Sequence, residues 1–415
     1  MSEEFYLRTR CRMCDGLQLV EVLSLTPTPP GNRFLKKADI NISEPRYPLD
    51  LYFCNDCHHV QLGHVVDPRI LYQNDYTYVS GTSAHFVKHL QVYAEDMVRR
   101  FRLKEGALVA DIGSNDGTCL RFFKQHGMAV IGVDPASQIA EAATNAGIET
   151  IGTFFSYSLA EDLRKKYGPA AFITSHNACA HIDRLDDIIR GVCHWLEDDG
   201  VFVLEVGYFV DVYTNLWFDT IYHEHLDFHT VGPFEKLFNR TGMKLVSVER
   251  VSPQGGSIRV VAQKASGTLG LDGSVQELIS LEQRLGLDTP AAFDRFRERI
   301  GLVGERLRGL LGTLKAENKS IAAYGAPTKA TTLLSTFGVG GESLDFIVDD
   351  NPLKQGLYSP LSHIPVLPTE EIYRRRPDFV LILAWNFAEP IMKIHKAYSE
   401  QGGRFILPMP EPRIV

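Results

Sequence analysis

The chain has 415 residues, too many for one hydrophobic core, so two or three domains are expected. Hydrophobic residues make up 44% and charged residues 23%, as in water-soluble globular proteins, and a net charge of −8 without a basic block argues against a nucleic-acid partner. No apolar run approaches the roughly 20 residues of a membrane span, and the N-terminus lacks a signal-peptide pattern. We therefore expect a cytoplasmic protein that has no membrane or nucleic-acid partner and is a monomer by default.

Residues 1–75 are rich in predicted loops and form the first predicted domain. Two Cys-x-x-Cys pairs can each place two sulfurs on one tetrahedral ion. A bound zinc would stabilise a segment that is expected to have little core of its own. The sequence therefore predicts a closed, structural zinc site with four ligands: Cys11, Cys14, Cys54 and Cys57.

Other interpretations of these cysteines remain open. A redox-active pair would need only one of the two motifs, and unliganded buried cysteines are the other alternative. His58 and His59 could each replace a ligand but are expected to be surface residues. Cys119, Cys179 and Cys193 are isolated and are expected to be ordinary buried residues. Two thiol pairs and an odd cysteine count favour a reducing compartment.

Residues 76–265 alternate strand and helix patterns, which predicts a doubly wound, mostly parallel sheet with helices on both faces. Its most informative stretch is Ala107–Gly117, a buried strand that leads through a glycine turn into a helix. Asp134 follows about 20 residues after Gly113, at the end of the next apolar run. This strand–turn–helix–strand–acid order is typical of a site for the adenosine part of a ligand.

The turn favours a ligand without phosphate. The third glycine of the dinucleotide fingerprint is missing, and Asp111 before the turn would repel a pyrophosphate. A cationic adenosine, S-adenosylmethionine, fits better. Asp134 would hold the ribose hydroxyls, Phe154 and Phe155 would stack on adenine unless they are core aromatics, and Asn177 would lie near the sulfonium. The predicted cofactor-binding residues are Asp111, Gly113, Asn115, Asp134, Pro135, Phe154, Phe155 and Asn177.

A polar cluster, Tyr222-His-Glu-His225 with Asp227 and His229, follows the fifth strand of this sheet. Strand ends form the ligand crevice in such sheets, and these side chains transfer protons near neutral pH. A solvated loop and a histidine metal site are the alternatives. The predicted catalytic residues are His225, Tyr222, Glu224, His181 and Tyr76, of which His181 and Tyr76 carry the weaker signal.

Residues 266–317 form a predicted helical connector, and residues 318–415 a second Rossmann-like α/β domain. The turn Gly325-Ala-Pro-Thr-Lys329 follows an apolar strand and opens a helix, whose free N–H groups would bind an anion. The absence of Gly-x-Gly-x-x-Gly counts against a nicotinamide dinucleotide. We predict a nucleotide diphosphate site, with a plain scaffold turn as the alternative. Its predicted residues are Pro327, Thr328, Lys329, Asp349, Trp385 and Asn386.

Taken in order, the cysteine pairs, Asp111–Gly117, Tyr222–His225 and Gly325–Lys329 resemble the sugar C-methyltransferases of antibiotic deoxysugar biosynthesis. The resemblance covers essentially the whole chain and is strongest to the C-3′ enzymes for D-tetronitrose and kijanose. It implies zinc in the first domain, S-adenosylmethionine in the second, and the thymidine diphosphate of a sugar held by the last. The implied substrate is a dTDP-linked 4-keto-2,3,6-trideoxy sugar with a 3-amino group. His225 corresponds to the family's base.

The expected chemistry is carbon methylation. A C-4 ketone makes the C-3 hydrogen acidic, and an imidazole with an ordinary pKa of about 6.5 is neutral at pH 7 and can remove that proton. Glu224 or Tyr222 would orient this base or stabilise the enolate oxygen. Methylation at C-5, methylation of oxygen or nitrogen, and a nucleotide-sugar-binding or assembly module with a vestigial methyltransferase fold remain as alternatives.

Overall fold

The computed structural model describes residues 4–72 and 79–415, so the predicted active-site residue Tyr76 lies outside the described residues. The N-terminal part contains a four-stranded antiparallel sheet and a separate strand pair. Its elements are β1 (Phe5–Leu7), β2 (Leu19–Thr28), β3 (Tyr47–Cys54), β4 (Val60–Leu62), β5 (His64–Val66) and α1 (Pro68–Tyr72). In the larger sheet β2, β3 and β4 are neighbours, and the edge strand beside β4 is β11 (Asp227–Phe228), from far along the chain.

The segment between the cysteine pairs, which was expected to have little core of its own, supplies β2 and β3 to the main hydrophobic core. Leu23, Leu49, Leu51 and Phe53 are buried and belong to the main hydrophobic core. Alternating burial along β3 is the pattern of a strand that covers a core with one face. The prolines after β2 end that strand and leave its buried face intact.

The second part is built on a seven-stranded sheet in the order β12-β13-β10-β9-β6-β7-β8. β13 runs antiparallel to its two neighbours, and the other pairings are parallel. The strands are β6 (Leu108–Ile112), β7 (Ala129–Val133), β8 (Thr150–Ile151), β9 (Ala170–His176), β10 (Leu196–Gly207), β12 (Met243–Val251) and β13 (Ser257–Lys264). The helices are α2 (Ala84–Arg100), α3 (Thr118–Gln125), α4 (Ser137–Asn145), α5 (Tyr157–Tyr167), α6 (Leu185–Trp195), α7 (Phe209–Asn215) and α8 (Val231–Arg240).

Strand β6 shows why this sheet carries helices on both faces. Val109 packs in a cluster with apolar residues of α2 and α3, whereas Ala110 and Ile112 belong to the cluster that includes α5 and α6. Side chains alternate along a strand, so both faces of β6 are buried, as expected for a doubly wound sheet. The predicted fold of this part is confirmed.

Two helices, α9 (Gly273–Arg284) and α10 (Ala291–Ala316), lead to a six-stranded sheet in the order β16-β15-β14-β17-β18-β19. Its strands are β14 (Ile321–Tyr324), β15 (Ile347–Val348), β16 (Val366–Leu367), β17 (Phe379–Ile382), β18 (Arg404–Leu407) and β19 (Arg413–Ile414), parallel except for β19. The helices are α11 (Thr328–Phe337), α12 (Glu371–Arg375), α13 (Ala388–Ile394) and α14 (Lys396–Glu400). The helices α13 and α14 are separated at His395.

The second Rossmann-like unit is confirmed as a fold, while the exact domain boundaries stay predictions. Within the described residues, no helix combines the length and the apolar composition that crossing a bilayer requires.

Candidate active site

The two cysteine pairs lie at one end of the N-terminal sheet, one pair before β2 and the other at the end of β3 and in the turn that follows, where Leu19 pairs with Cys54. The four sulfurs lie within 4.8 Å of one another, with Cys11 Sγ 3.5 Å from Cys57 Sγ and Cys14 Sγ 3.5 Å from Cys54 Sγ. Tetrahedral zinc with Zn–S bonds of about 2.3 Å requires sulfurs about 3.8 Å apart. The four thiols therefore fit a zinc ion, and four sulfur ligands leave no open position for substrate.

The glycine turn after β6 is closed by backbone hydrogen bonds to Asp134. One carboxylate oxygen accepts from Asn115 N–H at 2.8 Å, and the other accepts from Ala136 N–H at 2.9 Å. Gly113 has φ = 77°, and a Cβ on it would stand 2.5 Å from Ala178 Cβ. Only glycine allows the segment after β9 to approach the turn this closely.

Several buried polar atoms around this turn have no hydrogen-bond partner in the described part of the chain. Among the described residues, Asp111 Oδ1, Ser114 Oγ, Thr118 Oγ1 and both ring nitrogens of His176 are buried without hydrogen bonds. Burial, reinforced by the charge of Asp134, raises the pKa of Asp111 to about 8. A cationic ligand with hydroxyl and amino groups would satisfy such atoms, so the residues present fit S-adenosylmethionine.

The remaining predicted cofactor residues divide into two groups. Phe154, just beyond β8, is 47% exposed and available for stacking. Phe155 is buried and stacks on Trp195 at a centroid distance of 6.1 Å, so it is a core aromatic, and the predicted adenine contact stays a prediction for Phe154. Asn177 follows β9 with φ = 58°, and Pro135 follows Asp134, both at the strand ends.

Tyr222 and His225 form a hydrogen-bonded pair in the loop after α7. His225 Nδ1 lies 2.8 Å from the carbonyl oxygen of Thr220, which can only accept, so Nδ1 carries the proton. Nε2 then presents its lone pair to the hydroxyl of Tyr222, also at 2.8 Å. Burial lowers the pKa of His225 to about 4, against the ordinary value that the sequence had suggested. The imidazole is neutral at pH 7, as expected, but is a weaker base.

Two further predicted catalytic residues lie beside this pair. The ring of His181 meets that of His225 edge to face at 4.9 Å, and burial lowers the pKa of His181 to about 3. Burial raises the pKa of Glu224 to about 7, although a hydrogen bond from Asn32 and the charge of Lys354 act in the opposite direction. Asn32 Nδ2 donates to Glu224 Oε1 at 3.3 Å. Glu224 is therefore contacted by the N-terminal part and influenced by the C-terminal part.

The other members of the polar cluster, His223, Asp227 and His229, contact residues of the N-terminal part. His223 is buried against Tyr47, with its Nε2 3.1 Å from the carbonyl oxygen of that residue. Asp227 accepts from His59 at 2.7 Å, and the rings of His59 and His229 are 5.7 Å apart. His59 is fully buried, which corrects the expected surface position, whereas His58 is exposed.

The histidine metal site that the sequence left open finds no support. In the ranges 4–72 and 79–415, the groups spaced for a metal do not include any of His223, His225 and His229. One group that does appear, formed by Asp111, Cys119 and His176, lies in the cofactor region already described.

The turn after β14 repeats the design of the cofactor turn. Asp349, at the end of β15, accepts from the N–H groups of Ala326 at 2.6 Å and Asn351 at 2.8 Å. Gly325 has φ = 88°, and a Cβ there would stand 2.8 Å from Ala384 Cβ. Asp349 thus has the same relation to its turn as Asp134. Lys354 Nζ donates to Ala326 O at 2.7 Å and joins this turn to the surroundings of Glu224.

The predicted substrate residues lie together at the start of α11 and the end of β17. Lys329 Nζ donates to Asn386 Oδ1 at 2.8 Å and lies 3.5 Å from the centroid of the Trp385 ring. Burial lowers the pKa of Lys329 to about 8, and the carboxylate of Asp219 opposes that shift. Trp385 Nε1 donates to Asp219 at 2.6 Å.

At the same helix start, Pro327 is the N-terminal cap of α11, without a side-chain cap bond, and Thr328 packs against Gly31. The predicted anchor is therefore an enclosed junction between the first and last parts of the chain.

Asn32, Lys354 and Asp219 are site residues that the sequence did not single out. Each is far in sequence from the site residue that it contacts or influences, so no local sequence pattern could identify it.

Three protein families match successive parts of the chain. Residues 11–72 match the family described as "Putative zinc binding domain", residues 86–248 "Methyltransferase domain", and residues 252–410 "C-methyltransferase C-terminal domain". The C-methyltransferase NovU of Streptomyces niveus is 35% identical over 405 residues, which cover 98% of this chain and 96% of NovU.

Solved structures resemble the chain over less than half of its length. The PH0226 protein of Pyrococcus horikoshii is 14% identical, covers 46% of this chain and 97% of its own, and superimposes with a TM-score of 0.38. The plantazolicin methyltransferase BpumL, solved with S-adenosylhomocysteine, is 14% identical with a TM-score of 0.35 and covers 45% of this chain and 86% of its own.

The matches extend over all parts of the fold. The four cysteines bind a structural zinc ion, and the central sheet binds S-adenosylmethionine as methyl donor. NovU aligns with this chain almost from end to end. The chain therefore belongs to the C-methyltransferase family that includes NovU and is an S-adenosylmethionine-dependent C-methyltransferase.

Proposed function

We propose that this enzyme methylates C-3′ of a dTDP-linked 4-keto deoxysugar of the 3-amino-2,3,6-trideoxy type. The 35% identity to the C-methyltransferase NovU supports carbon methylation, and the C-3′ position is suggested only by the motif resemblance to the D-tetronitrose and kijanose enzymes. The observation that carries the proposal is the Tyr222–His225 pair, which has one fixed tautomer and lies beside Glu224 where the three parts of the chain meet.

His225 is the proposed base. Its Nδ1–H is held by Thr220 O, which leaves Nε2 free to accept a proton once the Tyr222 hydroxyl turns away. The C-4′ ketone acidifies the C-3′ hydrogen, since the resulting charge moves onto oxygen. Tyr222 then donates its O–H to that oxygen and stabilises the enolate. Proton transfer to a base with a pKa of about 4 depends on this stabilisation, because the imidazolium formed is a far stronger acid than the C-3′–H group that the imidazole deprotonates.

S-adenosylmethionine, when bound, would supply the methyl group for the C–C bond at the enolate carbon and would leave as S-adenosylhomocysteine. The turn at Gly113 and the carboxylate of Asp134 hold its adenosine beside the segment that bears His181. Fixing donor and acceptor in one crevice supplies much of the rate. The proposed anchor for the nucleotide diphosphate is the start of α11, at Thr328 and Lys329, with Trp385 and Asn386 alongside.

The test separates proton removal from methyl transfer. His225→Asn should nearly abolish both deuterium exchange at C-3′ without cofactor and methylation of dTDP-4-keto sugars, read by mass spectrometry. Calorimetric binding of S-adenosylhomocysteine should be kept. His126→Asn, at an exposed position at the end of α3, is the matched control and should behave as the native enzyme.

Each other outcome has a definite meaning. Near-normal turnover of His225→Asn would move the base to Tyr222 or His181. A product methylated at C-5′, or on oxygen or nitrogen, would overturn the C-3′ assignment. Failure to bind S-adenosylhomocysteine in the native chain would favour a binding or assembly role.

A further inference from the structure

Arg12 lies between two zinc ligands and is completely buried. Its Nε donates to Asp183 Oδ1 at 3.0 Å, and its Nη1 donates to Leu62 O at 2.8 Å and to Leu226 O at 3.3 Å. A buried guanidinium is retained only when such partners compensate for its lost hydration. Arg12 therefore holds three separate segments of the chain in one arrangement.

Two of those segments carry the histidines of the crevice. Asp183 stands two residues after His181, and Leu226 follows directly after His225. Leu226 N–H donates to Ala180 O at 2.8 Å, so the two segments are also bonded to each other next to the histidines. The 4.9 Å contact between the rings of His181 and His225 lies immediately beyond these bonds.

The backbone of Arg12 is joined to the metal site. Arg12 N–H donates to the side-chain oxygen of Gln61 at 2.9 Å, while the neighbouring Cys11 contributes its sulfur to the four-cysteine cluster. The backbone from which the guanidinium extends is thus fixed by the cysteine loop. The same loop carries Arg10, whose exposed side chain reaches only to Asp15 on its own turn.

We propose that Arg12 is a positioning residue that couples the zinc loop to the two crevice histidines. It sets the distance and angle between His181 and His225 through Asp183 and Leu226 O. The expected change in kcat rests on the proposed role of His225, whereas the expected change in the histidine spectrum does not. The zinc ion, by this inference, supports catalysis through a chain of direct contacts as well as through folding.

The variant Arg12→Gln removes the guanidinium group. Asp183 then keeps its hydrogen bonds from Arg8 and Tyr6, and Asp227 keeps its hydrogen bond from His59. Both carboxylates keep partners, so the variant is expected to fold. Arg10→Gln is the matched control in the same loop, and Arg12→Lys tests whether a charge without the planar fork restores the arrangement.

Four quantities are measured: zinc per chain, calorimetric binding of S-adenosylhomocysteine, kcat and KM, and the ¹⁵N–¹H spectrum of labelled histidine side chains. Arg12→Gln should keep its zinc and cofactor affinity, lose kcat by roughly 10- to 100-fold, and leave the KM for the cofactor within about twofold. The His225 Nδ1–H resonance, bonded to Thr220 O, should shift. Arg12→Lys should be intermediate and Arg10→Gln unchanged.

An unchanged His225 resonance and kcat in Arg12→Gln would overturn the proposal. Loss of zinc together with every other signal would assign Arg12 a folding role instead. An Arg12→Lys chain that binds zinc but recovers neither kcat nor the resonance would support positioning by the planar guanidinium over positioning by charge alone. If His225 proves not to be the base, the histidine spectrum still decides whether Arg12 sets its position.

Discussion

Burial shifts the pKa values of several side chains around the Tyr222–His225 pair. His225 and His181 are neutral far below pH 7, while Glu224, with a pKa of about 7, changes charge near neutrality. Glu224 therefore has a pKa close to neutral pH, whereas His225 is neutral at pH 7 and depends on a ketone to acidify the proton that it accepts.

Asp111 leads to a prediction about stability. Its carboxyl has a pKa of about 8 when folded and about 4 when unfolded, so the folded chain binds more protons between those values. Stability without cofactor should fall as pH rises through that window, by at most about 1.4 kcal/mol per pH unit. Asp111→Asn should flatten this dependence and raise Tm at pH 8 while it weakens S-adenosylhomocysteine binding. Parallel Tm curves for native and variant chains from pH 5 to pH 8 would contradict the expectation.

At the scale of elements, the two Rossmann-like sheets use one turn design twice. In each, a glycine with positive φ faces an alanine of the neighbouring strand end, and an aspartate at the next strand end accepts from the turn backbone. The two turns are similar in backbone geometry but not in amino-acid sequence, since one reads Gly-Ser-Asn and the other Gly-Ala-Pro.

This repetition allows a crossed experiment. A methyl group on Gly113 would collide with Ala178, and one on Gly325 with Ala384. Gly113→Ala should weaken S-adenosylhomocysteine binding by about tenfold or more and leave dTDP binding intact. Gly325→Ala should do the reverse, so each variant is the control of the other. Loss of both ligands in either variant would mean that the turns are not separate sites.

At the scale of the molecule, the zinc site stabilises a part of the chain that shares a sheet with the proposed catalytic segment. β11, which follows the loop that bears Tyr222 and His225, pairs with β4 of the N-terminal sheet. Removing a zinc ligand should therefore disturb catalysis more than cofactor binding.

Cys14→Ser tests this expectation. Zinc per chain and Tm should fall, methyl transfer should be lost, and the Kd for S-adenosylhomocysteine should stay within about threefold. Cys193→Ser, a non-ligand cysteine on α6, is the control and should retain its metal and activity. Equal losses of metal in both variants, or full methyl transfer by zinc-free Cys14→Ser, would exclude the linkage.

The sequence predicted what depends on local order. The Gly113 turn and Asp134 were found because a strand, a turn and an acid follow one another at a fixed spacing, and the four cysteines because their pairs are local. Asn32 and Lys354 were missed because only packing between distant segments brings them to Glu224. The pKa of His225 was mistaken because burial is a property of the folded molecule.

The pairing of β11 with β4 also limits how such enzymes can be recombined. A chimera that takes only its first 72 residues from a relative would join a foreign sheet to a native edge strand, and a foreign His59 to a native Asp227. The exchangeable unit is discontinuous: residues 4–72 must travel with residues 222–229. Engineers who swap these enzymes' N-terminal parts to change specificity should therefore exchange both segments of the gene together.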